Sequence, residues 1–301
     1  MSAIREARAA RAIQRAAERE DCEEDVGFMF DTAHAKDIST FRFERTTGED
    51  ITVELSMIKG EPGHVQSGQY LWPAARASVQ WLIDHEKELD LARDSTSTNK
   101  TESISIVELG AGCGLTSLGA CQLCPQRVRS VALTDHDYGS VQLLERNAEA
   151  LYERELLFGS SFVRPSREET ILQKEERSAR TFHVEKLEWG QIKAISAELR
   201  DRIVSADRVL LLGSDLLYSV DVVVPLLTTA AYMLCEASTS IAGSALHPAI
   251  FILTSSFDVG EDINEAVSAG ARDLQLEISE MQHLDLSVSQ CRVQYIRRYN
   301  Q

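Results

Sequence analysis

The chain has 301 residues, 44% hydrophobic and 26% charged, with 31 basic against 47 acidic side chains and a net charge of −16. That length can bury a sizeable core, as one large domain or as one domain plus an extension. The acidic balance argues against a chain-wide affinity for nucleic acid or an anionic membrane, since both need a basic surface, and no stretch reads as a membrane-spanning helix.

Residues 1–37 are expected to form a polar extension, helical over its first part. Its first nineteen residues carry five arginines and two glutamates on an alanine-rich background. Such a pattern also occurs in mitochondrial presequences, but the acid cluster EDCEED that follows suits a surface helix better. The segment 38–58 alternates apolar and polar residues on both sides of TTGED, which signals a β-hairpin closed by a glycine turn. The stretch YLWPAARASVQWLIDHE then reads as a helix. Pro73 stands near its first turn, where proline is tolerated, and Ala75, Val79, Leu82 and Ile83 recur at helical spacing.

From residue 104 strands and helices alternate. ISIVEL, SVALTD, TFHVEKLEW, RVLLLGSD and AIFILTSS read as strands, and the segments after the first, second, fourth and fifth read as helices. LEISEMQ and CRVQYIRRY close the chain as a strand pair. The charged stretch at about 160–180 shows no clear apolar stripe and is expected to be a surface insertion. Pro225 must sit in the first turn of its helix or kink it. The pattern predicts an α/β fold with a doubly wound, mostly parallel sheet of seven strands, an antiparallel C-terminal strand and a hairpin ahead of it. The main domain is expected to span 38–301.

The six cysteines are Cys22, Cys113, Cys121, Cys124, Cys235 and Cys291. They contain one C-x-x-C, Cys121 to Cys124, and no second pair at zinc-ligand spacing. Buried reduced thiols are the expected reading, and no metal site. Such usage suits a reducing compartment, and a cytoplasmic location is expected.

Ligands of a doubly wound sheet bind at the carboxyl ends of its strands. There the first strand runs into VELGAGCGL, with Gly110, Gly112 and Gly114 spaced two apart after Glu108. A dinucleotide fingerprint needs glycine at 115, which is Leu115, and a phosphate loop needs Lys-Ser/Thr after its last glycine, where Leu115 and Thr116 stand. What remains is a turn on which a ligand lies directly against the backbone. Asp135 ends the second strand, 27 residues after Glu108. A carboxylate there accepts hydrogen bonds from both hydroxyls of a ribose, although Asp135 or Asp137 also suits the N-cap of the next helix. Glycine turn and strand-end acid together indicate an adenosine-containing ligand without a pyrophosphate.

With VELGAGCGL, ALTDHD, LEWG and LLGSDLLY in this order, and GQYLWPAA ahead of them, residues 38–301 resemble the seven-β-strand S-adenosylmethionine-dependent methyltransferases. More narrowly they resemble methyltransferase family 16, the lysine methyltransferases of non-histone proteins. The resemblance implies S-adenosyl-L-methionine as cofactor and a protein substrate, possibly lysine-rich. It places Trp72 against the cofactor, Gly110, Ala111 and Gly112 beneath its methionyl part, and Asp135 at its ribose. Trp189 is expected to wall the adenine, and Glu108 and Ser214 complete the cofactor-binding set, Ser214 at a position where the family commonly has alanine. Asp215 and Tyr218 match a D-x-x-Y motif at the mouth of the substrate channel and are the expected catalytic pair. A small-amine methyltransferase, another protein methyltransferase and a catalytically silent adaptor are the alternatives, and the oligomeric state is left open.

Overall fold

A computed structural model describes residues 37–46, 49–58, 68–91, 102–158, 180–240, 249–286 and 289–298. The polar extension expected over 1–37, all but its last residue, and nearly all of the charged insertion lie outside the described residues. Two strands, β1 (Asp37–Phe43) and β2 (Ile51–Met57), pair antiparallel as a hairpin. After it come α1 (Pro73–Asp84), β3 (Ile104–Glu108), the short α2 (Leu115–Ala120), β4 (Val128–Asp135) and α3 (Tyr138–Phe158). Then follow β5 (Thr181–Lys186), a 3-10 turn (Ile192–Ala194), α4 (Ala197–Val204), β6 (Arg208–Ser214) and α5 (Val220–Ser240). The chain ends with β7 (Ile250–Ser255), α6 (Glu261–Asp273), β8 (Leu276–Leu286) and β9 (Ser289–Arg298).

The main sheet has seven strands in the order β5-β4-β3-β6-β7-β9-β8. The pairs among β5, β4, β3, β6 and β7 are parallel, and β9 enters between β7 and β8 antiparallel to both. The strand order reverses between β3 and β6, so the carboxyl ends of these two strands form the crevice of a doubly wound sheet.

Period-two alternation sorts the central strands onto two faces. Ile104 and Ile106 of β3, Leu210 and Leu212 of β6, and Ile250 and Ile252 of β7 join one buried cluster with the hairpin, α1, α2 and α3. Val107, Val209, Leu211, Phe251 and Leu253 join the other with α4, α5 and α6. Both faces are covered, which is why these strands read as near-continuous apolar runs. Trp81 is buried in the first cluster, stacked on His85 at 4.2 Å and edge-on to Tyr295 at 5.4 Å.

Three features depart from the sequence reading, and a fourth, the place of Pro225, excludes one of its two alternatives. The helix α4 was not expected. It is short and polar on its outer side, and its signals are Ser196, whose Oγ accepts from Leu199 N at 3.0 Å as an N-cap, and the buried pair Leu199 and Ile203. Pro225 is the sixth residue of α5, inside the helix rather than in its first turn. The stretch Val220–Ser238 is long and apolar enough to cross a membrane, with a mean hydropathy of 1.5. Its apolar surface is accounted for differently: Val223, Leu226, Leu227, Ala230, Met233 and Leu234 are core residues. Arg180, at the end of the charged stretch, is buried, and its Nη1 pairs with Glu155 at 2.5 Å and reaches Cys121 Sγ at 3.1 Å. Burial pushes the thiols of Cys121 and Cys124 up to about 12 and about 11, so both stay protonated.

One side chain fastens the hairpin to the sheet. Asn147 of α3 accepts from Ser56 N at 2.8 Å through Oδ1, and its Nδ2 donates to Ser56 O at 3.1 Å and to Cys113 O at 2.9 Å. Asn147 is buried, so each bond replaces water that cannot reach these groups. Asn147→Ala is expected to lower the stability by about 2 kcal/mol, because the buried Cys113 carbonyl and the two half-buried backbone groups of Ser56 lose their partner together. Urea unfolding of the two proteins measures this.

Candidate functional site

A cleft of about 850 Å³, counting its open mouth, lies at the carboxyl ends of β3, β4 and β6. Its floor is the glycine turn after β3. Gly110, Gly112 and Gly114 have φ of 58°, 54° and 83°, in the left-handed region where a Cβ is costly. Space forbids a side chain as well. A Cβ at Gly110 would stand 2.7 Å from Leu216 Cδ2 and 2.9 Å from Trp189 Cζ2, and one at Gly112 would stand 2.8 Å from Gly68 O. The turn is tied to the neighbouring strands by Leu109 N to Leu212 O at 2.9 Å and Ala111 N to Thr134 O at 2.8 Å.

Asp135 closes β4 at the edge of this floor and is buried. Its Oδ2 accepts from Gly112 N and its Oδ1 from Asp137 N, both at 2.9 Å. Its carboxylate lines the cleft. The N-cap of α3 is Asp137, whose Oδ2 accepts from Ser140 N at 2.7 Å and Ser140 Oγ at 2.9 Å. Asp135 is thereby released from the capping role that the sequence left open between the two. His136 is largely exposed, lies 3.4 Å from Asp135 Oδ1 and also lines the cleft. The bond to Asp135 raises its pKa against a smaller opposing effect of burial.

Both tryptophans line the cleft, and Trp189 packs against Gly110 of the turn. Trp72 is the N-cap residue of α1, extended at φ −86° and ψ 143°. Trp189 is followed by Gly190 at φ 84°, whose N–H donates to Thr229 Oγ1 at 2.8 Å, and that hydroxyl donates to Pro225 O at 3.0 Å. A buried threonine of α5 therefore fixes the backbone that carries Trp189.

Asp215 follows β6 with φ 56°, an uncommon conformation for a residue with a side chain. Its Oδ2 accepts from Ala74 N at 3.0 Å and Ser256 Oγ at 2.7 Å, and its Oδ1 from Ser256 N at 2.7 Å. Burial raises its pKa, against the opposing hydrogen bonds. Tyr218 is half-exposed at the mouth, and burial of its ring raises the phenol pKa further above its ordinary value. At neutral pH the hydroxyl is therefore protonated.

Of the residues singled out in the sequence, Trp72, Gly110, Ala111, Gly112, Asp135, Trp189, Ser214, Asp215 and Tyr218 line this one cleft. Glu108 does not. It lies fully buried beneath the turn, where its Oε2 accepts from Ser117 N of α2 at 3.0 Å. The lining also contains Gly68, Tyr70, Cys113 and Phe257, which the sequence reading missed. Gly68 packs so closely that a Cβ there would be 2.5 Å from Ser140 Oγ and 3.1 Å from Gly112 Cα. Cys113, one residue beyond Gly112, was a visible signal, and its Sγ donates to Gly68 O and Gln69 O at 3.4 and 3.3 Å. Gly68 opens the GQYLWPAA stretch but was not singled out there, and Phe257 sits on a loop that left no local pattern. Among the described residues no three His, Cys, Asp or Glu side chains are grouped to hold a metal ion.

A family model described as lysine methyltransferase matches residues 53–156, from β2 through the glycine turn and Asp135 to α3. No curated protein sequence matches the chain. Among solved structures, the chain is similar to a precorrin-6y C5,15-methyltransferase from Geobacter metallireducens GS-15, at 11% identity and a TM-score of 0.35, covering 71% of this chain and 86% of that one. It is similar to the rRNA methyltransferase aviRa from Streptomyces viridochromogenes, at 13% identity and a TM-score of 0.39, covering 77% and 90%. A third likeness is M. capricolum TrmK in complex with S-adenosyl-homocysteine, at 11% identity and a TM-score of 0.33, covering 66% and 63%. The strand order, the glycine turn and the matched segment agree with a seven-stranded methyltransferase fold that takes S-adenosylmethionine as cofactor. The matched segment carries the glycine turn and the strand-end acid.

Glu108 provides a test of how the floor is held. Burial raises its carboxyl from the ordinary 4.5 to about 7. The folded state therefore binds more protons than the unfolded chain between these values, and stability falls as pH rises through that window. Glu108→Gln removes the titration and keeps an oxygen for Ser117 N. Its stability relative to wild type is expected to rise by about 3 kcal/mol between pH 4.5 and pH 8. Urea titrations at several pH values test this, and parallel curves would refute it.

Proposed function

We propose that the chain transfers the methyl group of S-adenosylmethionine to a lysine side chain of a protein. The observation that carries the reading is the aromatic mouth of the cleft, where Tyr218 and Phe257 stand above the glycine turn, lining the same space as Asp135 and the two tryptophans. The description of the family whose model matches 53–156 agrees with it.

The cofactor supplies a methyl group already activated by a sulfonium, so the protein's work is positioning, desolvation and charge management. On this reading Asp135 accepts from the ribose hydroxyls and Gly110 to Gly112 underlie the methionyl chain. Trp72 and Trp189 wall the ligand, and Ser214 borders it. Glu108 takes no part in contact and holds the turn from beneath.

A lysine must arrive neutral to act as a nucleophile. Aromatic and apolar walls disfavour its charged form by desolvation, and their faces favour the ammonium during approach. Tyr218, protonated, serves as a donor and a wall and not as a base. Asp215 already accepts three hydrogen bonds, so its first task is to hold the channel walls together. Its remaining acceptor site on Oδ1 is what it offers an incoming ammonium. The proton then leaves through the open mouth.

Calorimetric titration with S-adenosylhomocysteine tests the cofactor half of the reading. One-to-one binding is expected, weakened roughly hundredfold or more in Asp135→Ala through the loss of two charge-assisted hydrogen bonds. Incubation of a cell lysate with methyl-labelled cofactor tests the substrate half. Label that depends on the added enzyme and is recovered as methyl-lysine from protein is the expected result. Label confined to small molecules would refute it in favour of a small-amine acceptor.

A further inference from the structure

We propose that the rim outside the cleft, formed by the start of α5 and the loop between β7 and α6, docks a basic segment of the substrate protein through an apolar anchor. The proposal rests on the lysine methyltransferase reading and names the chemistry of the segment around the target lysine.

Six large apolar side chains are exposed among the described residues, and four of them, Tyr218, Val220, Val224 and Phe257, belong to these two segments. Tyr218 and Phe257 line the mouth of the same cleft. Val220 and Val224 are one turn apart and share a face of α5. Val224 is 55% exposed although its Cγ2 lies 4.0 Å from the space a Cβ would take at Gly270 of α6. The two segments are fastened together, since Ser256 donates twice to Asp215. An apolar surface grouped at the opening of a site, and held there, marks a contact for another molecule.

The charge around it selects the occupant. Segments 214–225 and 254–265 contain six acids and no lysine or arginine. Asp221, Asp258, Glu261 and Asp262 are exposed. Neighbouring elements contribute Arg292, whose Nη1 donates to Asn264 Oδ1 at 2.5 Å, and Arg76, exposed in the first turn of α1. The rim remains acidic. A nucleic acid or an anionic lipid surface is repelled by such a field, and a segment with lysine or arginine flanking a leucine or phenylalanine is attracted by it. The apolar residue supplies the anchor, and the charges supply orientation and a faster encounter.

The test uses the full chain saturated with S-adenosylhomocysteine and a library of short synthetic peptides with one fixed central lysine and varied flanks. Peptides retained by the immobilised protein are expected to be rich in lysine or arginine together with leucine or phenylalanine, and retention is expected to fall with added salt. The double variant Asp221→Lys/Glu261→Lys and the variant Val224→Ser alter residues outside the cleft, so both are expected to bind S-adenosylhomocysteine as wild type does. The charge variant is expected to lose roughly tenfold in affinity for a selected peptide, and Val224→Ser severalfold. Unselective retention, retention of acidic peptides, or variants with wild-type affinity would overturn the docking surface and leave the cofactor site and the lysine chemistry standing. Binding to neutral lipid vesicles that Val224→Ser abolishes would overturn it in favour of a membrane contact. Label found only in small molecules in the lysate experiment would remove the function reading and this proposal with it.

Discussion

The carboxylate of Asp215 is the point on which the geometry of the cleft turns. It ends the central strand β6 in a left-handed conformation and spends three hydrogen bonds on two other parts of the chain. One reaches the second residue of α1, directly behind Trp72, and two reach Ser256 at the end of β7. The strained conformation persists because these bonds overdetermine it. A group so committed sets where the aromatic walls stand before it does any chemistry. The same bonds oppose the rise in pKa that burial imposes on it.

Beneath that node the floor is made of backbone. Left-handed glycines, a strand-end acid that shares its charge with Gly112 N, and a buried carboxyl under the start of α2 together form a surface without side chains. The hairpin looks peripheral, yet Asn147 joins it to Cys113 within the turn. The fixed wall on the other side comes from α5, where Thr229 bridges Gly190 and Pro225. The cleft is therefore assembled from four separate stretches of chain, each pinned by a buried polar side chain. Buried polar groups with their partners in place specify one arrangement where apolar packing alone tolerates several.

What could be read in the sequence follows from how local each signal is. The glycine turn and Asp135 are short-range, since a strand, its turn and the next strand's end carry them within 28 residues. The two faces of the sheet were legible as apolar runs because both faces are covered. Strand order was not, since nothing local states that β9 enters between β7 and β8. Glu108 was misread because an acid closing a strand beside a glycine turn looks the same whether it points up into a site or down under a helix. Phe257 needed the tertiary fold, as it approaches the cleft from a loop with no periodic pattern, and the role of Gly68, at the head of GQYLWPAA, shows only in its close approach to Gly112. The helix α4 was lost because a single turn-spaced pair, Leu199 and Ile203, is too short for periodicity to register.

The role of Asp215 limits what the reaction can ask of the protein. Burial raises the pKa of Asp215, but protonation would give up bonds that hold two strand ends and a helix in register. Tyr218 stays a phenol for the separate reason that burial of its ring and the nearby charge of Asp135 both disfavour the phenolate. Of the lining residues, His136, largely exposed beside Asp135 and with its pKa raised, is the base the cleft offers. Under the proposed function, a lysine loses its proton by desolvation against the aromatic walls and passes it to water or to His136 at the opening.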